Sequence, residues 1–84
     1  MIDVREAVRR AFEYFRALYA DKIFPGLMLE EVELTEGYWF VTLGYDAPSS
    51  LPAALAGTTR REYTRLKIKA ATGEILSMKI RRIE

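Results

Sequence analysis

Paired carboxylates are the first chemistry this chain offers, and its densest acids are Glu30, Glu31 and Glu33 in the run LMLEEVELT. General acid–base work by two carboxylates requires convergence in a pocket, in environments that push the two pKa values apart. On an exposed strand at a sheet margin these three glutamates do not converge, so they read as solvated charges. Ser49 and Ser50 are adjacent hydroxyls, but the chain has no His to take a proton from them, and neither sits in a G-x-S-x-G elbow. Cys is absent as well, which removes a thiol nucleophile and a disulfide framework together. Without His and Cys, most transition-metal sites and every imidazole-based scheme go too. Gly73 stands in a tight turn, not in a G-x-G-x-x-G or P-loop cradle for phosphate. The expectation is a protein that is not an enzyme, with no cofactor and no metal.

A second set of residues is better suited to recognition. Tyr38, Phe40, Arg65, Lys67, Lys69, Lys79 and Arg81 fall at alternate positions of strand-like runs, which puts them on one face of a sheet. Aromatics flanked by charges supply anchors and orientation for docking another protein. The same residue types serve nucleic-acid binding, where aromatics stack on bases and a Lys/Arg stripe meets phosphate. Against that alternative, no RNP-like motif is present and the acidic run beside the aromatics would repel a backbone. A third reading is solubility, since Lys and Arg on terminal strands discourage edge-to-edge aggregation.

The elements that must position these residues are legible from periodicity. Residues 3 to 20 read as an amphipathic helix. Asp3 and Glu6 form a D-x-x-E start of capping-box type, and Val4, Val8, Ala11, Phe12, Phe15, Leu18 and Tyr19 recur along one face. Arg5, Glu6, Arg9, Arg10, Glu13 and Arg16 take the opposite, solvated face, with Glu6–Arg10 and Arg9–Glu13 spaced to pair. Pro25-Gly26 suits the centre of a type II turn.

Alternation then predicts strands at Leu27 to Thr35, Tyr38 to Asp46, Glu62 to Ala70 and Glu74 to Ile83. In the second, Trp39, Val41, Leu43 and Tyr45 share one face; in the third, Thr64, Leu66, Ile68 and Ala70 do. In the fourth, Leu76, Met78 and Ile80 alternate with Ser77, Lys79 and Arg81. Ala47 to Arg61 reads as one long surface loop, with room for a helical turn after Pro52, and its composition leaves function and disorder equally open. The simplest assembly is α+β, one N-terminal helix packed on a four-stranded antiparallel β-meander whose second face is open.

Length and composition agree with this. The 84 residues are too few for a second core, so a single domain spanning 1–84 is expected, and 50% hydrophobic with 30% charged residues is the balance of a folded globular chain. With 13 Lys and Arg against 12 Asp and Glu, the net charge of +1 gives no global pull toward nucleic acid or anionic membrane. The start MIDVREAVRR carries charges where a secretory signal has its apolar stretch, and no run approaches the roughly 18 apolar residues of a membrane span. The expected compartment is the cytoplasm, or outside it if a leader has been removed.

The late run KIKAATGEILSMKI, from Lys67 onward, resembles the final hairpin of PepSY-like domains: hydrophobic alternation, a small residue, Thr-Gly, an acid and more alternation. The matching positions are Ile68, Ala70, Thr72, Gly73, Glu74, Ile75 and Leu76. YWFVTLGYD is similar to the aromatic-bearing strand before that hairpin, so the resemblance takes in about three quarters of the chain, and the helix-on-sheet outline is also similar to cystatin-like folds. The resemblance implies a non-enzymatic binding or inhibitory module, often outside the cytoplasm. This chain departs from it in its basic final hairpin. An inhibitor, immunity or antitoxin-type partner of a larger bacterial protein is the function expected. The fourth strand, as a sheet edge, would allow a homodimer or admit a partner's strand.

Overall fold

The structure, a computed structural model, describes residues 1–46 and 61–82. It has one helix, α1 (Val4–Leu18), followed by four strands, β1 (Met28–Thr35), β2 (Tyr38–Asp46), β3 (Arg61–Lys69) and β4 (Ile75–Arg82). The strands form one antiparallel sheet in the order β1-β2-β3-β4, and the arrangement is α+β. Residues 47–60, which hold nearly all of the expected loop, lie outside the described residues. Arg61 itself is the first residue of β3, paired with Asp46.

At the start of α1 the Asp3 carboxylate accepts the Glu6 amide at 2.9 Å, satisfying one of the first-turn donors. Only that half of the capping box forms. The Glu6 carboxylate turns outward to Arg9 and Arg10, whose hydrogen bonds hold it below the usual carboxylate range. Glu13 takes the other side of Arg9, so both expected pairs are present.

The buried row of α1 is Ala7, Ala11 and Phe15, spaced four apart and wholly inaccessible. The expected stripe is therefore off-centre: Val4 and Leu18 are 41% and 51% exposed, and Ala7 belongs at its middle. Alanine at the crossing lets the helix backbone approach the sheet closely, and Val8 and Phe12 fill the flank.

The sheet buries one face against this row. Val41, Leu43 and Tyr45 from β2 meet Leu66 and Ile68 from β3, with Thr64 and Ala70 buried beside them, as alternation predicts. At one end Phe15, Tyr19, Phe24 and Tyr45 pack with ring centroids 4.8–5.4 Å apart, mostly tilted or edge-on. At the other, Trp39 Nε1 donates to the Ile2 carbonyl at 3.1 Å and the Ile2 amide donates to the Ala70 carbonyl at 2.8 Å.

Turn chemistry follows the sequence. Phe24 to Leu27 closes with an amide-to-carbonyl bond of 3.3 Å, and Gly26 takes φ +70°, as a type II turn requires. Glu36 and Gly37 both have positive φ, 49° and 86°, the pattern of the two-residue I′ hairpin.

Two bulges break the expected alternation. In β1, Leu29 faces Leu43 and Glu31 faces Thr42, leaving Glu30 as the extra residue. In β4, Ile68 faces Ile75 and Lys67 faces Ser77, so Leu76 is the extra one and is exposed. Ile75, not Leu76, joins Met78 in packing against the core, which corrects the inward set expected for the fourth strand.

Candidate functional site

No helix covers the second face of the sheet among the described residues, and that face carries the seven residues selected for recognition. Reading across the strands by register, one row runs Thr35, Tyr38, Lys69; the next Glu33, Phe40, Lys67, Ser77; the next Glu31, Thr42, Arg65, Lys79. Arg81 lies opposite Tyr63 one row further along. The acid-to-aromatic-to-base gradient across β1 to β4 is therefore real in space.

The register does more than line these residues up. Lys67 places Nζ 4.3 Å from the Tyr38 ring centroid and 6.0 Å from that of Phe40. The Arg65 guanidinium sits 4.5 Å over Phe40 and reaches Glu33 at 3.4 Å across β2. Cations over aromatic faces contribute about 0.5–1 kcal/mol each at exposed sites. Tyr38 and Phe40 are thus half-buried beneath their own cations, not bare platforms for a stacked base. Lys69, Lys79 and Arg81 stand outside this arrangement, exposed, and no carboxylate among the described residues pairs with them. The sequence-selected set divides into a self-engaged centre and a free basic margin.

A second network on the same face was not legible as a site. Arg61 donates to Glu30 at 2.7 Å and to Asp46 at 3.0 Å, tying β1, β2 and β3 together. Those hydrogen bonds, Glu30 first, raise its already high pKa. The floor beneath is Gly44, where a Cβ would lie 2.5 Å from Glu30 Oε1 and 2.8 Å from Arg61 Nη2. A glycine inside a strand signals close approach of another group.

Of the β1 glutamates, Glu30 pairs with Arg61 and Glu33 with Arg65, so they serve separate cations and do not converge on a common point. Among the described residues no three or more acidic side chains gather as a metal set. Beside the end of α1, Arg16, Tyr19, Lys22, Ile23, Phe24 and Leu27 line a shallow depression of about 470 Å³, open to solvent. Lys22 leans over Tyr19 at its rim, 6.0 Å from the centroid. Nor is any helix among the described residues long and apolar enough to cross a membrane.

Comparison with protein families, with curated proteins and with solved structures finds no match to this chain.

Proposed function

We propose that this chain is a small, non-enzymatic protein-binding module, of PepSY-like or cystatin-like outline, acting as an inhibitor, immunity or antitoxin-type partner of a larger protein. The observation that carries the reading is the one-sided covering of the sheet. A helix buries one face, while the other presents aromatics and organised charge, and among the described residues no strand lies beyond β4. A basic margin with no paired acids among the described residues also favours the second reading, nucleic-acid binding through Lys69, Lys79 and Arg81, and the capping of Tyr38 and Phe40 by Lys67 and Arg65 weighs against it.

The test is capture of partners from lysate, with and without nuclease, washed at low and then high salt, using wild type beside Tyr38→Ala/Phe40→Ala. Phosphate-driven binding weakens steeply with salt because it depends on counterion release. A protein retained at high salt and lost in the double variant supports docking. Recovery of only nuclease-sensitive, salt-labile material moves the function to the basic margin.

A further inference from the structure

The two margins of the sheet are built differently. α1 lies chiefly against β2, with β1 and β3 to either side, so β1 is covered on its inner face while β4 lies beyond the main footprint of the helix. Met78 is only half-buried and Ile80 is 46% exposed on the side of β4 that points toward the helix layer. The helix flank nearest to them is fixed by Arg10, which reaches the Gly73 carbonyl of the β3–β4 turn at 3.4 Å. Tyr14 stands one turn further along that flank and is 38% exposed. An apolar step thus runs beside the outer edge of β4.

On the opposite side of β4 the charge is one-signed. Lys79 is directly opposite Arg65, two cations in a position where like charges destabilise a pair. Arg65 has Glu33 on its other side; Lys79 has no such neighbour among the described residues. Arg81, opposite Tyr63 one row away, is likewise paired with no carboxylate among the described residues. Along the edge itself, the stretch from Ser77 onward is regular past the Leu76 bulge, and no strand lies beside it among the described residues.

We infer that β4 accepts an extended segment of a partner protein as a fifth strand, and that this segment alternates acidic and apolar residues. The inference rests on the protein-binding reading above and names the chemistry of the partner. Successive side chains of an added strand point to opposite faces. Its apolar residues extend the core over Met78 and Ile80 toward Tyr14, and its acids continue the row Glu31, Thr42, Arg65, Lys79 with the missing negative charge. The fold already contains such a strand at its other margin. In β1, Glu31 and Glu33 point outward toward the cations, while Val32 packs inward on the core. A second copy paired two-fold through β4 is disfavoured, because Lys79 and Arg81 of one copy would face the same basic strand of the other.

The test is amide hydrogen exchange on the free protein titrated with a capped synthetic peptide of about seven residues, alternating Glu with Val or Leu, the span of a typical strand. Three comparisons accompany it: a peptide of the same composition with acids and apolar residues in separate blocks, the alternating peptide N-methylated at every second residue in each of the two phases, and the Lys79→Glu/Arg81→Glu protein. The alternating peptide is expected to slow exchange along Ser77 to Arg81. The block peptide and the charge-reversed protein each bind about tenfold more weakly or worse. One N-methyl phase abolishes binding and the other is tolerated.

Equal binding of the block peptide, protection elsewhere than β4, or no change at millimolar peptide overturns the inference. So does sedimentation of the free protein as a dimer with β4 already protected, which assigns the edge to a second copy. If β4 ignores the peptide while lysate capture still yields a salt-resistant partner lost in Tyr38→Ala/Phe40→Ala, docking stands and strand addition is wrong. If capture fails too, both fall.

Discussion

Thr64 is the buried polar side chain of the core among the described residues, where its hydroxyl has one partner, the Tyr45 hydroxyl at 3.3 Å. Tyr45 in turn donates to the Glu62 carboxylate at 3.3 Å, so the proton chain runs Thr64 to Tyr45 to Glu62. Tyr45→Phe removes the middle member at almost constant volume. Glu62 is half-exposed and retains access to water, but the Thr64 hydroxyl is left buried with neither acceptor nor solvent. An orphaned buried polar group costs about 1–3 kcal/mol, and the long separation here places the loss at the low end, about 1–1.5 kcal/mol.

Thr64→Val removes the other end of the chain and orphans nothing, since Tyr45 keeps Glu62, so it is expected within about 0.5 kcal/mol of wild type. The double variant, with no polar group left unpaired, recovers most of the Tyr45→Phe loss, giving a coupling of about 1 kcal/mol. Urea unfolding at neutral pH, with midpoints compared at a common slope, measures all three; in a domain of this size 1 kcal/mol also moves Tm by about 4–8 °C. Additivity of the two single changes within about 0.3 kcal/mol, or a neutral Tyr45→Phe, refutes the proton chain.

The same residue sets an alkaline limit. Burial, first among the causes, raises the Tyr45 pKa, so the unfolded chain ionises before the folded one. The stability it contributes is whole below the ordinary tyrosine pKa and is lost as pH rises through the folded value, and a pH series of unfolding midpoints should show a shallower alkaline decline in Tyr45→Phe. Arg61→Gln frees Glu30 and Asp46 and should lower the urea unfolding midpoint in low salt, and less in high salt. Gly44→Ala displaces the same bridge, chiefly Glu30, whose Oε1 and Cγ would lie 2.5 and 2.7 Å from the new Cβ, and should lose most of its cost in urea unfolding when made on top of Glu30→Ala. Gly73→Ala and Gly37→Ala both force a side chain into positive φ, of 82° and 86°, yet only at Gly73 does the new Cβ meet Arg10, at 2.7 Å from Cζ. Because the guanidinium end of that part-exposed side chain can swing aside, thermal unfolding should show Gly73→Ala as only slightly the more damaging, by about 0.5 kcal/mol or less.

Alternation along β2 and β3 made the core legible, because Val41, Leu43, Leu66 and Ile68 sit in strands buried on one side with no interruption. The helix stripe was harder. The expected stripe held Ala11 and Phe15 but also Val4 and Leu18, which are exposed, and it missed Ala7, a small residue that large-apolar spacing does not point to and that is wholly buried. The bulges carry a signal that went unused: each falls in a doubled pair of like polarity, Glu30-Glu31 and Ile75-Leu76, where strict alternation fails. The outward positions of Tyr38, Phe40, Arg65 and Lys67 were readable from period two. Their mutual engagement was not, since it depends on which residue of β3 lies beside which residue of β2, and register is a property of the paired strands.

The contacts that seat α1 on the hairpin beyond it bear on how quickly the chain can assemble. Trp39 holds Ile2 from 37 residues away, and Gly73 receives Arg10 from 63 residues away. The β1–β2 and β3–β4 hairpins can each zip from a tight turn, but the helix has no surface to cover until β2 and β3 have met. Closing so long a span costs entropy that grows only with the logarithm of its length, and that cost precedes any reward from burial. Docking of α1 is therefore expected as the late closure, which φ-values near zero for Ala7 and Ala11 in refolding kinetics would check. Loosening the Arg10 clasp is expected to hasten unfolding while leaving the speed of sheet formation nearly as it was.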